Sequence, residues 1–311
     1  MAAAHLYVFS DASPSDWLAD GHDEDWHTIV NFVFQSDPAL FPAIENGRSH
    51  EEVLPQDTLY RHFVESLEAQ LPLNGLKKWA TRGSYKKQLC RAFANTLPTI
   101  KPMISACSFQ EKTLRSSKNA LLASYNSHLG GVEGRGIGFE EYTDDRGRLN
   151  LKHSFMHWRT GYHEIKGLEN QILVLLLMSW LIADQFRFYS NQIVQSRAYG
   201  FDQLRTTVVS DKLSGDSDFR LDSEMNLRNL IDSESAAAPL VLTRSSASDQ
   251  FSGDLLADNL AGWLTNAMVN PNGPFAMHAR DLIATDVWTG WHHLQPSTTK
   301  LESLPAINRL G

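Results

Sequence analysis

The stretch from Pro239 to Trp263, PLVLTRSSASDQFSGDLLADNLAGW, constrains the fold of this chain more than any other. It opens on a short buried strand, Leu240, Val241 and Leu242. A polar corner follows, in which Ala247 is the one apolar residue between Thr243 and Gln250. The stretch then continues as an amphipathic helix, with Leu255, Leu256, Asn259, Leu260 and Trp263 recurring at spacings of three and four, which puts one apolar face against a sheet. Asp254 and Asp258 stand one turn apart on that helix and share a face, so both carboxylates can look toward the C-terminal end of a neighbouring strand. Acids gathered at strand ends are how a divalent cation is built into an open sheet. The question for the rest of the chain is whether other acids join them.

Composition sets the limits. The 311 residues allow one large elaborated domain, and 42% hydrophobic with 21% charged residues is ordinary for a chain that buries a full core. A formal net charge of −8 argues against a surface built for indiscriminate nucleic-acid binding. It leaves room for a local basic groove around an acidic, metal-filled centre. Cys90 and Cys107 are the two cysteines, too few for a disulfide framework or a zinc cluster, so a reducing, cytoplasmic setting is expected. No signal peptide is read at the start of the chain. The longest apolar run, Ile172 to Ala183, is too short for a bilayer and suits a buried helix, so no membrane association is expected.

In chain order, His5 to Phe9 is the first strand, ended by SDASP, with Asp11 at its C-terminal tip. His22, Asp23, Asp25 and His27 fit no standard ligand spacing and are read as a solvated turn. Thr28 to Gln35 is a second strand, Thr58 to Gln70 a helix started by Pro55 and Asp57, and Ser84 to Asn95 another. Around the start of that second helix lie Lys77, Lys78, Arg82, Lys86, Lys87 and Arg91 with Trp79 and Tyr85. This is either a solvated face or a groove in which cations hold phosphates and aromatics stack bases. Ile100 to Phe109 is a third strand. A hairpin, Ile137 to Tyr142 and Leu149 to Phe155, closes on the turn chemistry of TDDRGR and looks inserted. A long buried helix from Tyr162 to Tyr189 carries Glu164 and Glu169 in its first turns, where the helix dipole favours them. Arg205 to Ser210 is a fourth strand with Asp211 at its end, and Ala276 to Trp291 is read as a final helix.

Three carboxylates from separate segments, Asp11, Asp211 and Asp258, with Asp254 beside the last, suit a two-metal site for phosphodiester cleavage with Mg²⁺ or Mn²⁺. Each acid alone could equally be a strand-end turn residue. No Gly-x-Ser-x-Gly elbow is present, so a serine hydrolase of α/β type is not supported.

The segments LYVFSDAS, GLKKWA and SASDQFSGDLLADNLAGW resemble, in that order, the motifs of a prokaryotic family of unknown function within the RNase H-like superfamily. The resemblance implies an α/β fold, an RNase H-like mixed central sheet flanked by helices, with helical and hairpin insertions. It implies Asp11, Asp211 and Asp258 as catalytic metal ligands, with Ser13 and Lys77 near the site. Lys78, Arg82, Glu164 and Glu169 are further candidates for supporting the site or binding substrate. The chain is read as one domain, 1–311, with an insertion at 127–160 and a C-terminal extension at 270–311. Two departures stand out: Ala12 and Gly75 occupy positions where the family has Glu. Two functions remain open. One is a divalent-metal-dependent nuclease with nucleic acid as partner. The other is an inactive RNase H-like scaffold or binding component of a mobile-element or phage-defence system, with a protein partner or a second copy of the chain.

Overall fold

A computed structural model describes residues 2–13, 25–71, 75–79, 83–100, 103–114, 116–117, 139–143, 149–153, 181, 201–210, 240–246, 251–285, 287–295 and 307. The strands are β1 (Ala2–Ser13), β2 (Trp26–Gln35), β3 (Met103–Gln110), β4 (Phe139–Thr143), β5 (Leu149–His153), β6 (Phe201–Ser210), β7 (Leu240–Ser246) and β8 (Trp288–His293). The α-helices are α1 (Phe41–Glu45), α2 (His50–Val53), α3 (Thr58–Glu68), α4 (Gly83–Ile100), α5 (Ser252–Val269) and α6 (Pro274–Ile283).

Six strands form a mixed sheet in the order β7-β6-β1-β2-β3-β8. β1, β2 and β3 are an antiparallel meander, as short apolar runs separated by breakers dictate. β6 lies parallel to β1 on its other side, β7 parallel to β6, and β8 parallel to β3. Only β2 runs against the rest, so the C-terminal ends of β1, β6 and β7 share one edge of the sheet. β4 and β5 pair with each other as a separate two-stranded sheet, the hairpin read from TDDRGR.

Side chains alternate across a strand, so β1 sends Tyr7, Phe9, Asp11 and Ser13 to one face and Leu6, Val8 and Ser10 to the other. Both faces are buried: Phe9 and Phe32 on the first, Val8, Ile29 and Val33 on the second, are all within 2% of full burial. That is the condition of a sheet covered on both sides, and it explains the nearly unbroken apolar runs. On the Phe9 face lies α5. Its Gly253 sits so close to Phe9 that an added Cβ would meet the ring at 2.4 Å, and Thr265 Oγ1 donates to Ser13 O at 3.2 Å. The helix therefore passes over β1 from Phe9 toward the strand's C-terminal end.

α3 starts where Asp57 predicts. That carboxylate accepts from Leu59 N and Tyr60 N through one oxygen and from Asp37 N through the other, tying the cap to the loop after β2. α4 runs past the expected end, through Pro98 to Ile100. Two other readings need correction. Residues 243–246 are not a corner but the second half of β7, because pairing with β6 continues through Ser245 and Ser246. Residues 276–291 are not one helix: α6 stops at Ile283, where Thr285 N–H and Oγ1–H both return to Leu282 O, and the chain then enters β8 at the sheet edge. Trp288 and Trp291, read as the end of that helix, pair with β3 instead. The long helix expected at 162–189 lies outside the described residues except Leu181, which is helical and buried.

Candidate metal centre and its basic strap

Asp11 is half-buried, third from the end of β1, on the face that α5 covers. Its Oδ1 accepts from Ala12 N at 2.7 Å, and across the sheet it is in register with Val30 of the apolar core. Phe9 marks one contact of β1 with α5, at Gly253, and Ser13 marks another, at Thr265. Asp11 lies between Phe9 and Ser13 in the strand, and Asp258 lies between Gly253 and Thr265 in the helix. On a helical wheel Asp254, Asp258 and Thr265 fall within about 40° of one another, on one flank of α5. Ser13 thus reaches the site's border through its backbone carbonyl.

Asp258 Oδ2 accepts from Trp79 N at 2.7 Å. The next residue, Asn259, is fully buried and donates through Nδ2 to Lys77 O at 2.8 Å and to Leu255 O at 2.6 Å. At Gly262, one turn beyond Asp258, a Cβ would stand 2.1 Å from Trp79 Cδ1, so the missing side chain is what lets the indole lie on the helix. Residues 75–79 thus form a strap across α5. Its other bonds go to α3 and α4. Glu68 Oε1 accepts from Leu76 N at 3.2 Å, while the Tyr85 hydroxyl accepts from Lys77 N at 2.7 Å and donates to Lys77 O at 3.3 Å. Burial raises the Tyr85 phenol, and the nearby charges of Asp258 and Glu68 raise it further, so it stays a neutral donor and acceptor.

Gly75 enters the strap at φ 102°, a backbone region that favours glycine. A glutamate at this position would be strained. The carboxylate of Glu68 lies 3.1 Å from where a side chain on residue 75 would begin. Sequence reading did not find Glu68, because seven residues of separation across a helix end give no local pattern. Nor did it find His50. This buried imidazole packs edge-on to Phe9 and Phe251, and its Nε2 lies 3.9 Å from Asp254 Oδ2 and 4.0 Å from Glu51 Oε1. Asp254 therefore contacts α2, whereas Asp258 contacts the strap.

Lys77 and Lys78 are exposed on the strap, and Lys87 and Arg91 are exposed on α4. The aromatics of this cluster are not available to nucleic-acid bases, contrary to the expectation from their interleaving. Trp79 and Tyr85 are 6% and 5% exposed. His27 is likewise not in a solvated turn but fully buried in β2, stacked on Phe109. Burial pushes the Cys107 thiol up to about 12, and Cys90 is raised by the same cause, so neither is a nucleophile near neutral pH.

Asp211, Arg82, Glu164 and Glu169 lie outside the described residues. β6 ends at Ser210, in register with Ser10 of β1, and Asp211 follows it directly in the chain. Among the described residues, no three His, Cys, Asp or Glu side chains gather as a metal-holding group. Also among them, no helix is long and apolar enough to cross a membrane. Compared with known proteins, the chain matches no family model, no curated protein and no solved structure.

Proposed function

We propose that this protein is a divalent-metal-dependent nuclease of RNase H-like fold, with Asp11, Asp211 and Asp258 as its metal-holding carboxylates. One observation carries the reading: α5 crosses β1 with contacts at Phe9 and Ser13 that bracket Asp11, and the span of helix between those contacts carries Asp258. Further support comes from the sheet. An antiparallel meander continued by two strands parallel to its first agrees with an RNase H-like topology. It also sets the end of β6, one residue before Asp211, level with Ser10. The donor chemistry fits Mg²⁺ or Mn²⁺: carboxylate oxygens are the ligands these ions prefer. Trp79 N–H and Ala12 N–H each orient one oxygen of Asp258 and Asp11. When bound, such ions supply an acidified water and neutralise charge on the leaving oxygen. The chain's own part is to fix the carboxylates: Asp11 by its place in a central strand, Asp258 through the strap. Ala12 and Gly75 do not remove every acid nearby, since Glu68 brings a carboxylate to the Gly75 position.

The test is cleavage of single-stranded, duplex and RNA–DNA hybrid substrates with Mg²⁺ and with Mn²⁺. Asp11→Asn and Asp258→Asn should each lower cleavage by at least about 100-fold, since removing a ligand costs metal affinity and transition-state stabilisation together. Equal inertness of the wild type and both variants would sink the proposal.

The bond from Trp79 N to Asp258 favours a second reading, in which Asp258 is a structural fastener for the strap and the fold is a non-catalytic scaffold. Calorimetric titration separates the two. A nuclease binds Mn²⁺ and loses it with Asp258→Asn; a scaffold gives no heat with either protein.

A further inference from the structure

The strap spends its aromatic side chains on being fastened. The Trp79 indole lies on Gly262, with Phe275 packed edge-on at 5.8 Å and Lys86 Nζ 4.7 Å from the ring centroid. The Tyr85 ring is buried and its hydroxyl is committed to both backbone groups of Lys77. The charged side chains that the strap and α4 leave exposed are all cationic, Lys77 and Lys78, then Lys87 and Arg91 one turn apart on one face; the other exposed residues of α4, Ser84, Gln88, Asn95 and Thr99, are neutral. Surfaces that hold single strands pair cations with open aromatic faces, each stacked base contributing roughly 1–3 kcal/mol. Here those faces are closed. Contact with phosphates needs only the cations, and a duplex offers them at the higher density, about one charge per 1.7 Å of axis.

We propose that the strap and the exposed face of α4 bind double-stranded nucleic acid through its phosphates alone, without base stacking and without sequence preference. Lys77 and Lys78 hold the backbone on the same five residues whose Trp79 N–H orients Asp258. The inference rests on the nuclease reading for what happens to the bound strand, but the binding itself requires no metal. Tyr85 and Asn259 are positioning residues in this scheme, because they fix the backbone of Lys77 and not its charge.

The experiment is fluorescence anisotropy of the full chain with a labelled duplex of about 20 base pairs and with one of its strands alone, in EDTA, across a salt series. The duplex should bind at least tenfold more tightly, with log affinity falling linearly in log salt. The double variant Lys77→Gln, Lys78→Gln should reduce that slope by roughly 1.8, the value for two lost phosphate contacts, and Lys77→Arg, Lys78→Arg should restore it. Both positions are exposed, so folding is not at stake. Equal affinity for the single strand, no binding to either, or an unchanged slope in the Gln variant would overturn the proposal. Because EDTA removes metal from the measurement, failure here leaves the metal-site reading to be decided by cleavage and Mn²⁺ titration, and failure there leaves this result intact.

Discussion

Gly262 is where a single hydrogen in place of a methyl decides how the strap sits. A Cβ there would stand 2.1 Å from Cδ1 of Trp79 and 2.5 Å from its Nε1, so the indole has to leave or the helix has to shift. Overpacking of this kind typically costs about 1–3 kcal/mol, and Gly262→Ala should lower stability by that amount in urea denaturation despite alanine's better helix propensity. Trp79→Leu in the Gly262→Ala background should recover part of the loss, giving a coupling energy of opposite sign to the single effects. Additive losses would mean that the ring does not rest on the glycine. At the same scale, Gly75 and Glu68 show how a carboxylate can come to a position whose own residue carries none. The positive φ of residue 75 excludes an easy glutamate, and a side chain from α3 arrives where that glutamate would begin.

Among elements, α5 and β8 are the instructive pair. The apolar spacing of Leu255, Leu256, Leu260 and Trp263 announced α5 correctly, since helix periodicity is local. It understated the burial, because Gly253 lets Phe9 of β1 and Gly262 lets Trp79 of the strap come close on sides that carry no large apolar residue, and Ala257 and Ala261 are buried as well. Trp263, stacked on Phe93 at 6.0 Å with its Nε1–H on Phe275 O, closes the remaining side. The meander and the hairpin were legible for the same local reason, through alternation and turn residues. β8 was not. Its six residues are fixed by register with β3, nearly two hundred residues away, and such pairing leaves no trace in a window of sequence. At its end, His293 packs beside Trp26 at 5.1 Å, and burial holds its pKa below the ordinary 6.5. The sign follows from linkage: the unfolded chain takes up a proton near pH 6.5 while the folded chain resists it. This part of the stability is intact above pH 6.5 and is lost as pH falls below it. The urea midpoint should therefore fall between pH 8 and pH 5, and His293→Gln should make that fall shallower. Parallel pH profiles for the two proteins would show that His293 does not titrate against the fold.

For the molecule as a whole, the sheet order explains how acids far apart in sequence can belong to one site. β1 is central, β6 is its parallel neighbour, and α5 lies over β1, so the end of the first strand, the end of the sixth and the late helix are adjacent by topology. Asp11, Asp211 and Asp258 stand on separate segments of the sequence; which of those segments are neighbours was not legible there, because it depends on which strands pair. The same topology pairs one edge of β3 with β2 and leaves its other edge to be covered by the chain that returns after α6. Val287 O accepts from Ile104 N at 2.8 Å, Leu294 N donates to Ser108 O at 3.0 Å, Trp291 Nε1 donates to Ser108 Oγ at 2.9 Å, and Ile307 N in turn donates to Trp291 O. Ending the chain at residue 286 removes all of these and exposes the backbone of β3, whose Ile104, Ala106, Cys107 and Phe109 are fully buried. An apolar strand with an open edge recruits another strand, and the available one is β3 of a second copy. Such a truncated protein should run by size exclusion with light scattering as species larger than the full chain, growing with concentration. If it instead runs like the full chain and keeps the same urea midpoint, β8 is an ornament of the sheet and not its seal.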